Sequence, residues 1–225
     1  VGIGQTSPSS KLDITTAGLG VTQTTTSGLA LVNTTAATVG AQQISPALRW
    51  SGYGWKTDAT AASQAVDFRS YVMPVQGTAN PTGYLSFGSS VNGGAYSDGQ
   101  MVLTSTGNVG IGTTSPNSKL EIAGPLATAV VSKVFADSPY TATASNSTIL
   151  ANGTNGAITI NLPTAVGITG RQYVIKKTDS SANSVTVDGS GTETIDGALT
   201  YTLATQYKYV TVQSDGANWV VIANN

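Results

Sequence analysis

The stretch from Val109 to Ile122 reads VGIGTTSPNSKLEI, and the stretch from Val1 to Ile14 reads VGIGQTSPSSKLDI. Eleven of the 14 positions are identical, and each of the three differences exchanges one polar residue for another. Because the copies lie 108 residues apart, they indicate a duplicated module and not a chance match. The first copy starts abruptly at Val1, so we expect this chain to be a fragment of a longer protein.

The repeat alternates apolar and polar positions, as short strands do. Val109 and Ile111 would share one face, with Gly110 and Gly112 on the other, where a second backbone could come close. Four aliphatic side chains are too few to offset the ordering of 14 residues, so the repeat needs identical neighbours. We therefore expect a three-fold bundle of chains. Its core would be formed by the aliphatic residues of both copies: Val1, Ile3, Leu12, Ile14, Val109, Ile111, Leu120 and Ile122.

The repeats divide the chain into four segments that are all expected to be β-structured. Residues 1–14 and 109–124 are the two repeats, 15–108 form a β-rich inserted domain, and 125–225 form a C-terminal domain. Alternation predicts strands in the insert, with a hairpin at Asn92-Gly93-Gly94; the strands are 28–33, 47–50, 65–72, 83–87 and 100–104. The C-terminal domain contains eight predicted short strands within residues 130–222, which is typical of a β-sandwich or a jelly-roll-like tip.

The composition also favours an all-β chain, and it excludes several classes of function. Thr, Ser and Gly number 34, 24 and 26, while apolar residues make up 40% of the chain, too many for a disordered linker. The net charge is −1, whereas nucleic-acid and anionic-membrane sites need clustered Lys and Arg. The chain has no His and no Cys, which excludes catalysis and zinc binding by these residues and also disulfides. No apolar run approaches the roughly 18 residues of a membrane span. We expect an extracellular protein without cofactor or metal.

A family resemblance rests on the repeat. VGIGTTSP followed by Lys119-Leu120 resembles the shaft or collar repeat of phage tail fibres and of tail-fibre-like trimeric adhesins, including those of predatory bacteria. Ser45-Pro-Ala-Leu-Arg-Trp50 is similar to modules found between such repeats, and Ser214-Asp-Gly-Ala-Asn-Trp219 is similar to fibre-tip domains. The resemblance implies a parallel homotrimeric fibre with β-prism-like collars and knob-like β-domains, on a virion tail or a bacterial cell surface.

The sharpest local feature is an aromatic cluster formed by Trp50, Tyr53 and Trp55, with Gly52 and Gly54 between the rings. Exposed Trp and Tyr rings stack on sugar faces, and neighbouring charged groups supply directional hydrogen bonds. We therefore predict a ligand-binding patch of these three rings with Arg49 and Asp58. The alternative is that the rings fill the core of a small β-domain.

Three acidic residues, Asp188, Glu193 and Asp196, lie within nine positions of a Gly-rich stretch. Paired carboxylates could hydrolyse a glycosidic bond, and oxygen ligands could bind calcium. The alternative interpretation is turn chemistry, because Asp precedes Gly at Asp188-Gly189 and at Asp196-Gly197. We favour turns and predict no catalytic residue and no metal ligand.

Three functions remain for the chain. The first is a non-enzymatic trimeric fibre tip that attaches to a cell surface, through glycans or another surface receptor, where repeated weak contacts gain avidity. The second is a structural spacer that folds and registers the trimer. The third is a glycan depolymerase domain, which the sparse Asp and Glu residues do not favour. We expect neither nucleic-acid binding nor membrane insertion.

Overall fold

The structure is a computed structural model that describes residues 2–3, 12–14 and 29–225 of the chain. In these residues the fold is all-β, with 17 strands, one 3-10 helix at Phe135–Asp137 and no α-helix. The chain divides into two compact units, Val1–Pro125 and Leu126–Asn225.

Both copies of the repeat form the same parallel strand pair. β1 (Gly2–Ile3) pairs with β2 (Asp13–Ile14), and β7 (Val109–Ile111) pairs with β8 (Leu120–Ile122). The register is also the same, since Ile3 lies opposite Ile14 as Ile111 lies opposite Ile122. The duplicated sequence therefore encodes a duplicated supersecondary structure.

Glycines make this strand pair possible. A Cβ on Gly110 would lie 2.3 Å from the carbonyl oxygen of Thr113, so no larger residue fits without a shift of the backbone. Gly112 has a φ of +72°, which glycine adopts without strain. The expected close approach of another backbone is thus present, and the backbone is that of the repeat's own turn.

The first unit is built on a six-stranded sheet in which the second repeat takes part. Its strands follow the order β3-β4-β5-β6-β7-β8, antiparallel up to β7 and parallel between β7 and β8. The remaining bounds are β3 (Leu48–Lys56), β4 (Ala62–Val75), β5 (Thr82–Val91) and β6 (Ser97–Thr104). The insert and the second repeat, which the sequence suggests as separate segments, thus share one sheet.

One face of this sheet, which we call the apolar face, carries most of the large apolar side chains of the unit. The strand period of two and the cross-strand register place Trp50 beside Phe68, Leu85 beside Leu103, and Met101 beside Ile111. Nine of its members are exposed in the single chain: Leu48, Trp50, Phe68, Val72, Val91, Met101, Leu103, Ile111 and Leu120. Five further apolar residues on this face are partly exposed: Val66, Leu85, Phe87, Val109 and Ile122.

The opposite face, the polar face, carries the buried residues of the unit. The buried side chains there include Asp67, Tyr71, Ser86, Ser90 and Val102. The Ser90 hydroxyl donates to the Gly94 carbonyl, and the Ser86 hydroxyl accepts from the Gly99 amide. The hairpin at Asn92-Gly93 lies at the end of β5, and both residues have positive φ, as the sequence predicts. The predicted strand 28–33 is not formed, since residues 29–33 lack strand pairing.

The second unit packs two sheets across one core. The five-stranded sheet follows the order β17-β16-β13-β11-β9 and the four-stranded sheet the order β10-β12-β14-β15. The bounds are β9 (Val130–Val134), β10 (Tyr140–Thr141), β11 (Thr148–Asn152), β12 (Ile158–Asn161), β13 (Gln172–Lys177), β14 (Val185–Asp188), β15 (Thr200–Leu203), β16 (Tyr209–Ser214) and β17 (Trp219–Asn224). All eight strands predicted for this segment are present.

The strand pairing differs from that of a jelly roll. From β9 to β14 the chain alternates between the two sheets, so neighbours within each sheet run parallel; only β13–β16, β14–β15 and β16–β17 are antiparallel. Alternating hydrophobicity reveals a half-buried strand but not the direction of its neighbour, so the sequence did not predict this parallel pairing.

The core of this unit contains one ion pair. The Nζ of Lys177 is fully buried and lies 2.7 Å from Oδ1 of Asp179, which is also buried. Oδ2 of Asp179 accepts from the Gly153 amide at 2.6 Å, and Ser181 donates its amide and hydroxyl to Oδ1. Elsewhere in this core, the rings of Tyr173 and Trp219 pack with a centroid distance of 5.6 Å.

Candidate ligand-binding surface

The predicted aromatic cluster lies on β3, the outermost strand of the six-stranded sheet, and the strand divides it. Trp50 lies on the apolar face beside Phe68, whereas Tyr53 and Trp55 lie on the polar face opposite Ala65 and Ser63. Gly52 and Gly54 do not bend the strand, which pairs with β4 without a break from Leu48 to Lys56. The three rings therefore do not form one patch.

Trp50 belongs to a shallow apolar groove. A depression of about 450 Å³ beside the ring is lined by Trp50 to Gly54 of β3 and by Val66 and Phe68 of β4. A Cβ on Gly52 would meet no atom within 4 Å, so the space above this position is open. This ring contributes to the apolar face and not to a polar binding site.

Tyr53 and Trp55 form the accessible part of the cluster. Their exposed fractions are 79% and 68%, and their cross-strand neighbours are small. Small neighbours leave the ring faces free, which is the geometry needed for stacking on a flat apolar partner. In the single chain these two rings therefore do not fill a core, and the alternative interpretation is wrong for them.

Arg49 lies on the same face of β3 and is held by a buried carboxylate. Its Nη2 lies 2.9 Å from Oδ2 of Asp67, and the Ser51 hydroxyl donates to Oδ1. The hydrogen bond from Ser51, followed by that from Arg49, holds the pKa of Asp67 below its usual range although burial opposes this. The guanidinium remains more than half exposed, so it is a fixed cation on the face that also carries the two rings.

A second Arg–Asp pair lies beside the first and was not predicted from the sequence. Nε of Arg69 donates to Asp98 at 2.9 Å, and the guanidinium stacks between the rings of Tyr71 and Tyr96, 5.1 and 4.0 Å from their centroids. The placement of Asp67, Arg69 and Tyr71 on one face follows from alternation along β4. The contribution of Tyr96 and Asp98 comes from the neighbouring hairpin and has no local sequence signal.

Asp58, the fifth predicted ligand-binding residue, belongs to the β3–β4 turn. Its carboxylate lies 2.9 Å from Nζ of Lys56 and accepts from the Thr60 amide at 2.8 Å. The bond from Lys56 and then those from Thr60 lower the pKa of Asp58. These contacts give the residue a complete structural role in the turn.

The acidic stretch of the second unit is bound to backbone. Glu193 accepts from the Thr164 hydroxyl and the Ala165 amide, and Asp196 accepts from the Val221 amide at 3.0 Å. Asp196 and Gly197 both have positive φ, as the turn interpretation requires. Within the ranges that the structure describes, no group of three or more acidic side chains is placed to hold a metal ion.

The structure describes some, but not all, of the residues predicted to form the trimer core. Val109, Ile111, Leu120 and Ile122 all lie on the apolar face, and Leu12 is exposed. Val1 lies outside the described residues, and Ile3 and Ile14 are described only in their backbone pairing.

Comparisons with known proteins do not assign this chain to a protein family. No family model matches it, and no significant similarity to a curated protein or a solved structure was found. In the described residues, no helix is long and apolar enough to cross a membrane.

Proposed function

We propose that this chain forms a non-enzymatic, homotrimeric fibre tip that attaches to a cell surface through glycans. The observation that carries the proposal is the difference between the two faces of the six-stranded sheet. Nine large apolar residues are exposed on one face, and the other face carries two exposed rings and a fixed arginine. One face would join copies of the chain, and the other would meet the ligand.

The apolar face supports association of copies. Monomeric proteins rarely expose contiguous apolar patches of more than roughly a few hundred Å². Since the four aliphatic residues of the second repeat lie in the same face as the groove around Trp50, one continuous surface would be covered when three sheets meet. This arrangement is the one expected for the β-prism-like collar that the repeat implies. The resemblance of the repeat to fibre proteins further supports the proposal.

The polar face supports glycan binding. Tyr53 and Trp55 present ring faces at i and i+2 on the outer strand, and the Arg49 guanidinium lies on the same face. Stacking supplies apolar contact, and the cation supplies a directional donor for sugar oxygens. Three such surfaces on a trimer would bind with avidity even if each one is weak.

The test combines light scattering with a glycan array. A trimer has a mass of three times 22.7 kDa, about 68 kDa, and we expect this mass at micromolar concentration. Retention on glycans without release of reducing sugar supports attachment. Trimers that bind no glycan would support the spacer instead, and release of reducing sugar would support a depolymerase. A monomer with full β-type circular dichroism would contradict the proposal.

A further inference from the structure

Tyr207 has an unusual backbone conformation in the loop between β15 and β16. Its φ is +66°, in the left-handed region that a bulky residue rarely adopts and that glycine or asparagine would adopt with less strain. The backbone is fixed there, since the Tyr207 amide donates to the Lys177 carbonyl at 2.9 Å and Asn225 donates to the Tyr207 carbonyl.

The ring of Tyr207 makes little packing contact that would offset this strain. Its exposed fraction is 59%, and its ring contact in the structure is with Lys176, whose Nζ lies 5.6 Å from the ring centroid. Residues held in sparsely populated conformations cluster at binding sites, where the strain is part of the function. A strained and exposed aromatic ring therefore points to a ligand.

A cation without an acidic partner lies beside this ring. Among the residues that the structure describes, Lys176 has no carboxylate oxygen within 4.0 Å, whereas its neighbour Lys177 is paired with Asp179. Lys176 lies on the outer face of the five-stranded sheet, cross-strand from Tyr209. It is the one charged residue at the outward positions of β9, β11, β13 and β16, all of which are described.

We infer that Tyr207, Lys176 and Tyr209 form a second saccharide-binding surface, one that takes an anionic sugar. The tyrosine ring would stack on the face of a pyranose ring, and the Lys176 ammonium would pair with a carboxylate or sulfate on that sugar. All three residues come from one chain and one unit. The site is therefore complete within a single chain and does not use Tyr53 or Trp55; the inference rests on the proposed attachment to glycans and extends it to a class of sugar.

The experiment measures binding of the whole chain to three soluble hexasaccharides by biolayer interferometry: a sulfated heparin fragment, a carboxylated oligosialic acid and neutral maltohexaose. We expect binding to at least one anionic oligosaccharide, weakened by added salt, and at least about tenfold weaker binding to maltohexaose. Comparison of the heparin and sialic acid arms distinguishes sulfate from carboxylate as the recognised group. Equal affinity for the neutral sugar, or binding to neither anionic sugar, would overturn the inference.

Variants separate this site from others. Tyr207→Gly removes the ring and also the strain, so we expect at least about tenfold weaker binding with an unchanged or higher melting temperature. Lys176→Gln should weaken binding similarly. The matched control is Lys133→Gln, which removes the same charge from a lysine over Tyr140, 4.0 Å from its centroid, and should change affinity less than about twofold.

Trp55→Ala tests whether the surface proposed on the first unit is responsible instead. It should lower the affinity for maltohexaose and for the anionic sugars by a similar factor, whereas Tyr207→Gly should lower the affinity for the anionic sugars alone. If Trp55→Ala abolishes binding of the anionic sugars and Tyr207→Gly does not, the inference is wrong while glycan attachment itself stands. If Tyr207→Gly abolishes it and Trp55→Ala has no effect on any glycan, the inference stands and the role of Trp55 is wrong.

Discussion

At the scale of single residues, the enclosed pair of Lys177 and Asp179 gives the sharpest expectation for stability. Asp179→Asn leaves the fully buried ammonium of Lys177 without a countercharge, which costs about 3–5 kcal/mol of unfolding free energy. Chemical denaturation of the whole chain measures this loss in the second unit. Asp188→Asn, on the partly exposed outer side of β14, is the matched control and should change stability by less than about 0.5 kcal/mol.

The same pair predicts the response to acid. Burial opposes ionisation of Asp179, but hydrogen bonds from Lys177, Ser181 and Gly153 outweigh it and hold its pKa well below the usual range. A carboxyl group with a depressed pKa stabilises the fold above its unfolded pKa of about 4 and loses that contribution as the pH falls below it. We expect stability to drop between about pH 4 and 2, with a smaller drop in Asp179→Asn. Parallel acid titrations of the two proteins would contradict this assignment.

At the scale of elements, the strand pair of the repeat depends on Gly110. Gly110→Ala places a Cβ against the carbonyl oxygen of Thr113, and we expect a loss of about 1–3 kcal/mol with a lower melting temperature of the first unit. Gly124→Ala is the control, because a Cβ at that position meets no atom within 4 Å. Equal melting temperatures for the two variants would show that the backbone at Gly110 relaxes without cost.

The positions of the strands follow from the sequence, whereas their directions and partners do not. The strand Gln172–Lys177 was predicted to the residue, and the other predicted strands of the second unit were placed to within one or two residues, because period-two alternation directly reports half-burial. Strand direction and partner were not predictable, since they depend on contacts between distant segments; the parallel pairing of β9, β11 and β13 is the clearest case. The division of Trp50 from Tyr53 and Trp55 was available from alternation, but the intervening glycines suggested a bend that is absent.

At the scale of the whole molecule, assembly can be separated from folding at Ile111. This side chain is 41% exposed in the single chain, so Ile111→Asp should affect an isolated monomer little. In a trimer joined through the apolar face, three carboxylates would meet without partners and disfavour assembly. We expect light scattering to show loss of the trimer, whereas Glu121→Gln on the polar face should retain it. A variant that stays trimeric with an unchanged melting temperature would exclude this face as the interface.

The two tryptophans of β3 provide the final test, because the strand assigns them opposite roles. Trp55→Ala should weaken glycan binding by about 1–3 kcal/mol per site, amplified by avidity, with the trimer and its melting temperature unchanged. Trp50→Ala should do the reverse, since its ring lies in the groove of the apolar face and would be covered by a neighbouring chain. Glycan retention and light scattering on the same preparations measure both effects. If both variants lower the melting temperature and neither changes glycan retention, the two rings both serve packing, and the polar face of β3 is not a binding surface.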